Sequence, residues 1–389
     1  MKLDLSFISQ PTTFMARHRR LLPALALLLA TACASGGGGG ADPAAAPAAG
    51  QEGTTTNAPW PLKTREHVDL WLHGFAMISE DSTKVPYFRR GYRDELTVFK
   101  NGVNVTTQLD ANRERLRARL AANRALANAQ FLALYFGTWQ ELREVAELFV
   151  RAEGDPRRAN SRELAAAIAV LAQYFPTGPD REWLQLFVAS LNDESQKFYH
   201  DYWVQQQRNR APVVAALDSL WQRQYRPKLQ GFLNSTQQPS GDLLLALPLD
   251  GEGRTISGAG GVGGGSSGNI VTVSFPARAQ DAVEALYVFV HEAAGTLAAT
   301  AVNDNTTPNE KRTGVADRLQ SAAAVRTGAI LLQRVAPELA DGYARYYLRA
   351  ANATSAGADA QAGLAATFPL PDGLRAAIER QLDVVLGGI

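Results

Sequence analysis

The sequence predicts an α+β fold that is mostly α-helical: a helical amino-terminal part with a small hairpin, followed by a part that combines a short sheet with one long helix. Three observations predict it. The stretch from Asp110 to Arg151 is rich in Ala, Leu, Arg and Glu and contains no proline, as expected of helices. After Gln237-Gln238-Pro239-Ser240-Gly241 the character changes to short apolar runs rich in β-branched residues. With 46% hydrophobic and 20% charged residues over 389 positions, the chain can also bury a sizeable core, which excludes disorder throughout. The charge is nearly balanced, 39 Lys and Arg against 38 Asp and Glu, with no basic stripe, so nucleic acid is not an expected partner. The single cysteine, Cys33, excludes an intramolecular disulfide and any multi-cysteine metal site.

The first segment reads as an address. Arg17, Arg19 and Arg20 precede the apolar run Leu21 to Leu29, too short for a permanent membrane span and suited to a secretory signal over residues 1–32. Met15, just before the basic cluster, is an alternative start. The run ends in Leu29-Ala30-Thr31-Ala32-Cys33, which resembles the lipobox of bacterial lipoproteins, although Ala30 stands where leucine is usual. The resemblance implies a lipid on Cys33 and a protein exported to the bacterial cell envelope, anchored at the outer membrane on its periplasmic or surface side. No other apolar stretch approaches the roughly 20 residues of a spanning helix. Residues 33–60, rich in Gly, Ala, Pro and Thr, have little to bury and read as a flexible tether.

Residues 61–240 read as the mainly helical region. Glu66 to Ile78 has helical spacing; His67 and His73 lie on it six apart, not the four that would place two imidazoles on one metal, and are expected to pack or face solvent. Lys100-Asn101-Gly102 between Leu96–Phe99 and Val103–Thr106 predicts a hairpin. Asp110 to Arg151 forms one helix or two, broken near Gly137. Ser161 opens another helix, Asp180 caps a third, and Pro212 and Pro227 bracket a further one. Phe198-Tyr199-His200-Asp201-Tyr202-Trp203 is expected to be a packing seam rather than a ligand-stacking site.

Residues 241–389 form the second region. Leu243 to Leu249 and Ile270 to Phe275 read as strands. The tract Gly258 to Gly268 between them lacks the lysine and the following helix of a phosphate loop, and reads as a mobile loop. A long helix from Asp281 to Val302 follows, then a capped opening at Thr307-Pro308-Asn309-Glu310, a helix from Val315, and a terminal helix from Leu374 to Leu386.

On the long helix, Val288-Phe289-Val290-His291-Glu292-Ala293-Ala294-Gly295 resembles the active helix of the zincin metallopeptidases, with Ile270–Phe275 as the edge strand before it. The resemblance covers about residues 241–350. It implies His291 as first zinc ligand and Glu292 as general base, with Gly295 in place of the second histidine, so that the motif is degenerate. As in the gluzincins, it offers Asn309-Glu310 for the third ligand, 19 residues beyond His291, with Glu338 as a weaker choice. Tyr343, Tyr346 or Tyr347 stand where an oxyanion-stabilising side chain would be, and His200 is the first choice for a replacement imidazole. Three readings follow. The preferred one is a non-catalytic envelope lipoprotein that binds or scaffolds a protein or peptide partner, with no cofactor expected. The second is a zinc peptidase using His291, Glu310 and Glu292. The third is a helical envelope lipoprotein in which His291 and Glu292 are structural.

Overall fold

The computed structural model of the chain describes residues 59–80, 83–257, 268–353 and 359–387. The expected signal sequence, Cys33, nearly all of the tether and the glycine tract 258–267 lie outside the described residues. The fold is α+β and mostly helical, with a four-stranded mixed sheet. Strand β1 (Leu62–Lys63) runs parallel to β2 (Gly241–Ala246), which runs parallel to β4 (Asn269–Ser274); β3 (Arg254–Ile256) lies antiparallel on the outer side of β4. Leu243 stands opposite Val271 and Leu245 opposite Val273. Both central strands are buried almost throughout, as continuous apolar strands are when both faces of a sheet are covered. The expected edge strand is therefore interior: the three residues Arg254 to Ile256, too short to stand out in the sequence, take the edge.

The helices before the sheet are α1 (Glu66–Ile78), α2 (Tyr92–Gly102), α3 (Gln108–Ala122), α4 (Trp139–Arg151), α5 (Arg162–Tyr174), α6 (Gly178–Glu194), α7 (His200–Asn209), α8 (Ala211–Leu220) and α9 (Arg226–Ser235). Helix α2 replaces the expected hairpin. Tyr92, Leu96 and Lys100, four apart, are buried on one face, and Asn101-Gly102 ends the helix instead of turning a ribbon. The break after α3 comes earlier than Gly137 and is longer, a 3₁₀ stretch from Arg124 to Tyr135. Thr177, not Asp180, is the N-cap of α6; Asp180 closes the capping box from the third position. Pro227 does not end a helix, because a wide π turn (Trp221–Tyr225) precedes it and the missing N–H falls in the first turn of α9. Phe198, Tyr199 and Tyr202 pack as a seam. Gly74 lets α1 and α6 cross closely, since a Cβ there would lie 2.7 Å from Leu191 and Phe187.

After the sheet come α10 (Val283–Asp304), α11 (Pro308–Arg312), α12 (Val315–Val335), α13 (Pro337–Ala350), α14 (Ala360–Thr367) and α15 (Asp372–Gly387). Among the described residues, buried apolar side chains from Trp60 to Leu382 join in one core, and β1 brings the start of the helical region into the sheet of the second. By length and composition the helical stretch Ala279–Asp304 could cross a membrane, contrary to the expectation that no such stretch exists. Yet 78% of its apolar window is buried within the protein, against β4, α12 and α13, which is the setting of a core helix. Phe289 locks it in place between Trp60, 5.3 Å away edge to face, and Trp221 at 4.6 Å.

Candidate functional site

Two residues beyond Phe289, α10 presents His291 and Glu292. The His291 side chain is 4% exposed, and its ring stacks on Tyr347 of α13 at 5.3 Å and 24°. Its Nδ1 lies 3.1 Å from Glu292 Oε1, a bond that nitrogen donates because an ionised carboxylate only accepts. Glu292 Oε1 also accepts the Gly253 N–H at 3.0 Å. On the other side of the ring, Nε2 is buried without a hydrogen-bond partner and faces Glu252 Oε1 at 3.8 Å, beyond hydrogen-bonding range. Donor atoms of Glu252, His291 and Glu292 thus converge within 4.8 Å of one another.

Glu252 reaches this position from the turn between β2 and β3. Gly253 lets that turn press onto the sheet: a Cβ there would fall 2.0 Å from the Thr272 carbonyl oxygen and 3.2 Å from Glu292 Cγ. Burial alone would push the His291 imidazole down, but the Glu252 charge and the Glu292 hydrogen bond outweigh it and hold the group above its ordinary value. Burial would likewise raise Glu292; the His291 bond and charge, Arg254 and the Gly253 N–H prevail, and its carboxyl lies below the usual range.

The other residues singled out in the sequence are not gathered here. Helix α10 continues 13 residues past His291, a rise of about 20 Å, before α11 begins. Glu310 sits in α11 and closes the capping box with the Thr307 N–H and hydroxyl, the bonds that lower its pKa. The ligand set expected from Asn309-Glu310 is corrected: the carboxylate opposite His291 is Glu252. Glu338 is exposed and paired with Lys228. Tyr343 donates to the Val325 carbonyl at 3.0 Å and Tyr347 to the Gly251 carbonyl at 3.1 Å, while the Tyr346 hydroxyl lies 3.4 Å from Asp250 Oδ1, so none of the three hydroxyls is aimed at the cluster. His200 is an exposed side chain bonded to Glu66. Buried His67 is bonded to the Phe136 carbonyl at 2.9 Å, and burial pushes its pKa down to about 4. Gly295 has open space where a side chain would begin.

Sequence reasoning missed Glu252. The only local signal was its place between two glycines in Asp250-Gly251-Glu252-Gly253, and that pattern by itself reads as a turn. Compared with known proteins, the chain matches no family model, no curated protein and no solved structure.

Proposed function

We propose that this chain is an exported, lipid-anchored protein of the bacterial envelope whose carboxy-terminal part is a degenerate zincin-like module, acting by binding or scaffolding rather than by hydrolysis. The observation that carries the non-catalytic reading is the state of the would-be general base. Glu292 Oε1 is engaged by its own neighbour His291 and by the Gly253 N–H, so this oxygen serves to hold the site together rather than to activate a water. The absence of a side chain at Gly295 supports the same reading, because α10 then offers one imidazole where a peptidase of this kind uses two. The peptidase alternative leaned on Glu310, whose carboxylate is committed to a helix cap. The lipid anchor rests on the setting of Cys33 in the sequence.

The test is a peptide-hydrolysis assay of the purified chain with and without added zinc, beside Glu292→Gln. The expected result is equal, background turnover in both proteins. Zinc-dependent cleavage that disappears in Glu292→Gln overturns the reading.

A further inference from the structure

We propose that Glu252 and His291 bind a first-row divalent cation, zinc being the probe of choice, with Glu292 as the residue that positions the imidazole. The inference deepens the binding role proposed above and rests on it for what the site does, but its chemistry comes from three features of the cluster. First, Glu292 takes the proton of His291 Nδ1, which in the neutral ring leaves the Nε2 lone pair as the free end, the arrangement by which carboxylates orient metal-binding histidines. Second, that Nε2 is buried and unpartnered. An unsatisfied buried polar atom is unfavourable unless something fills the position in front of it. Third, the 3.8 Å between Nε2 and Glu252 Oε1 is too long for a hydrogen bond and suits a shared ion. Two ligand bonds of about 2.1 Å span it at an angle of about 130°.

Charge and donor type also select the ion. The Glu252 ligand and the positioning carboxylate of Glu292, beside a neutral His291, carry a net charge of −2, which a divalent cation neutralises. An imidazole donor suits zinc and its first-row neighbours rather than calcium or magnesium, which require six or more oxygen ligands or a largely hydrated octahedron. The Glu252 and Glu292 side chains are 15% and 12% exposed, so the cluster borders solvent and water can complete the coordination shell.

The experiment is calorimetric titration of the metal-stripped full chain with zinc chloride, paired with thermal melts in the presence and absence of zinc. Glu252→Gln, His291→Ala and Glu310→Gln are measured in parallel. One zinc per chain is expected, with a zinc-dependent rise in melting temperature. Affinity should fall at least tenfold in Glu252→Gln, which keeps the shape of the side chain, and in His291→Ala, and stay unchanged in Glu310→Gln. Melts without zinc show whether each variant is folded; if His291→Ala is not, Glu252→Gln decides. No stoichiometric binding by a folded chain, or binding unaffected by Glu252→Gln, overturns the site and leaves the non-catalytic reading standing. One-to-one binding accompanied by zinc-dependent peptide cleavage supports the site and overturns that reading.

Discussion

In the helical region His73 of α1 meets Glu194 at the end of α6, and in the sheet region His291 of α10 meets Glu252 and Glu292. Both histidines are buried beside carboxylates, yet their surroundings differ. Around Glu194 the charges and polar atoms are matched: His73 Nε2 lies 3.1 Å from Oε1, Lys100 Nζ reaches both oxygens at 3.0 and 2.9 Å, and the Thr107 hydroxyl donates to Oε2. The other nitrogen of His73 lies 3.1 Å from the Tyr92 hydroxyl. Around His291 one nitrogen is left without a partner. A network of this kind ties α1, α2, α3 and α6 together through a carboxylate whose two oxygens are both taken, whereas the open one keeps a donor position to fill. The same residue types therefore serve architecture in one place and a candidate binding site in the other.

The largest expected effect tests the closed network. Glu194→Ala removes the buried carboxylate that Lys100 and His73 share, leaves His73 Nε2 without its partner and Lys100 with Asp110 alone, and should cost about 3–5 kcal/mol in chemical denaturation. A loss below about 1 kcal/mol would show that the network is not a unit and would break the contrast. Acid titration sharpens the same point. Burial would raise the Glu194 pKa, but His73, Lys100 and Thr107 prevail and pull it from 4.5 down to about 2. Because the folded-state value lies below the unfolded one, the stabilisation is fully present above pH 4.5 and is lost as the pH falls through 2. It amounts to roughly 3 kcal/mol, and Glu194→Gln should lack this part of the pH dependence in denaturation curves between pH 5 and 2.

The smallest expected effect tests the open cluster. Gly295 is one helical turn from His291 and has open space at its Cβ, so Gly295→His places a second imidazole beside the first. Zinc affinity measured by calorimetry should rise about tenfold or more, equivalent to about 1.4 kcal/mol. An unchanged affinity would mean that a ligand one turn further along α10 does not reach the ion, which contradicts a cation in front of His291 Nε2.

Local chemistry carried the reading of the sequence wherever a few adjacent residues decide the outcome. Ser161 caps α5, Thr307 and Glu310 form a capping box, and the apolar runs around Leu243 and Val271 become strands. It failed at Lys100-Asn101-Gly102, where a strong turn signal lost to a helix. The winning interaction is with Glu194, 94 residues away, which draws Lys100 inward, and no local pattern contains that information. The candidate site shows the same division. His291 and Glu292 were legible because they are adjacent on an apolar helix. Glu252 was not, because its partner lies 39 positions away across β3, a glycine-rich tract and β4.

The sequence by itself determined the fold class and most of the helices, since periodicity and capping act over single turns, and it singled out one His-Glu pair on one long helix. The tertiary structure decided which carboxylate faces that histidine. It closed Glu310 into a cap, carried Glu252 to the Nε2 edge of the ring through a turn that only glycine at position 253 permits, and left Nε2 without a hydrogen-bond partner. These outcomes depend on how β3, β4 and α10 pack, and packing joins residues that are distant in the chain.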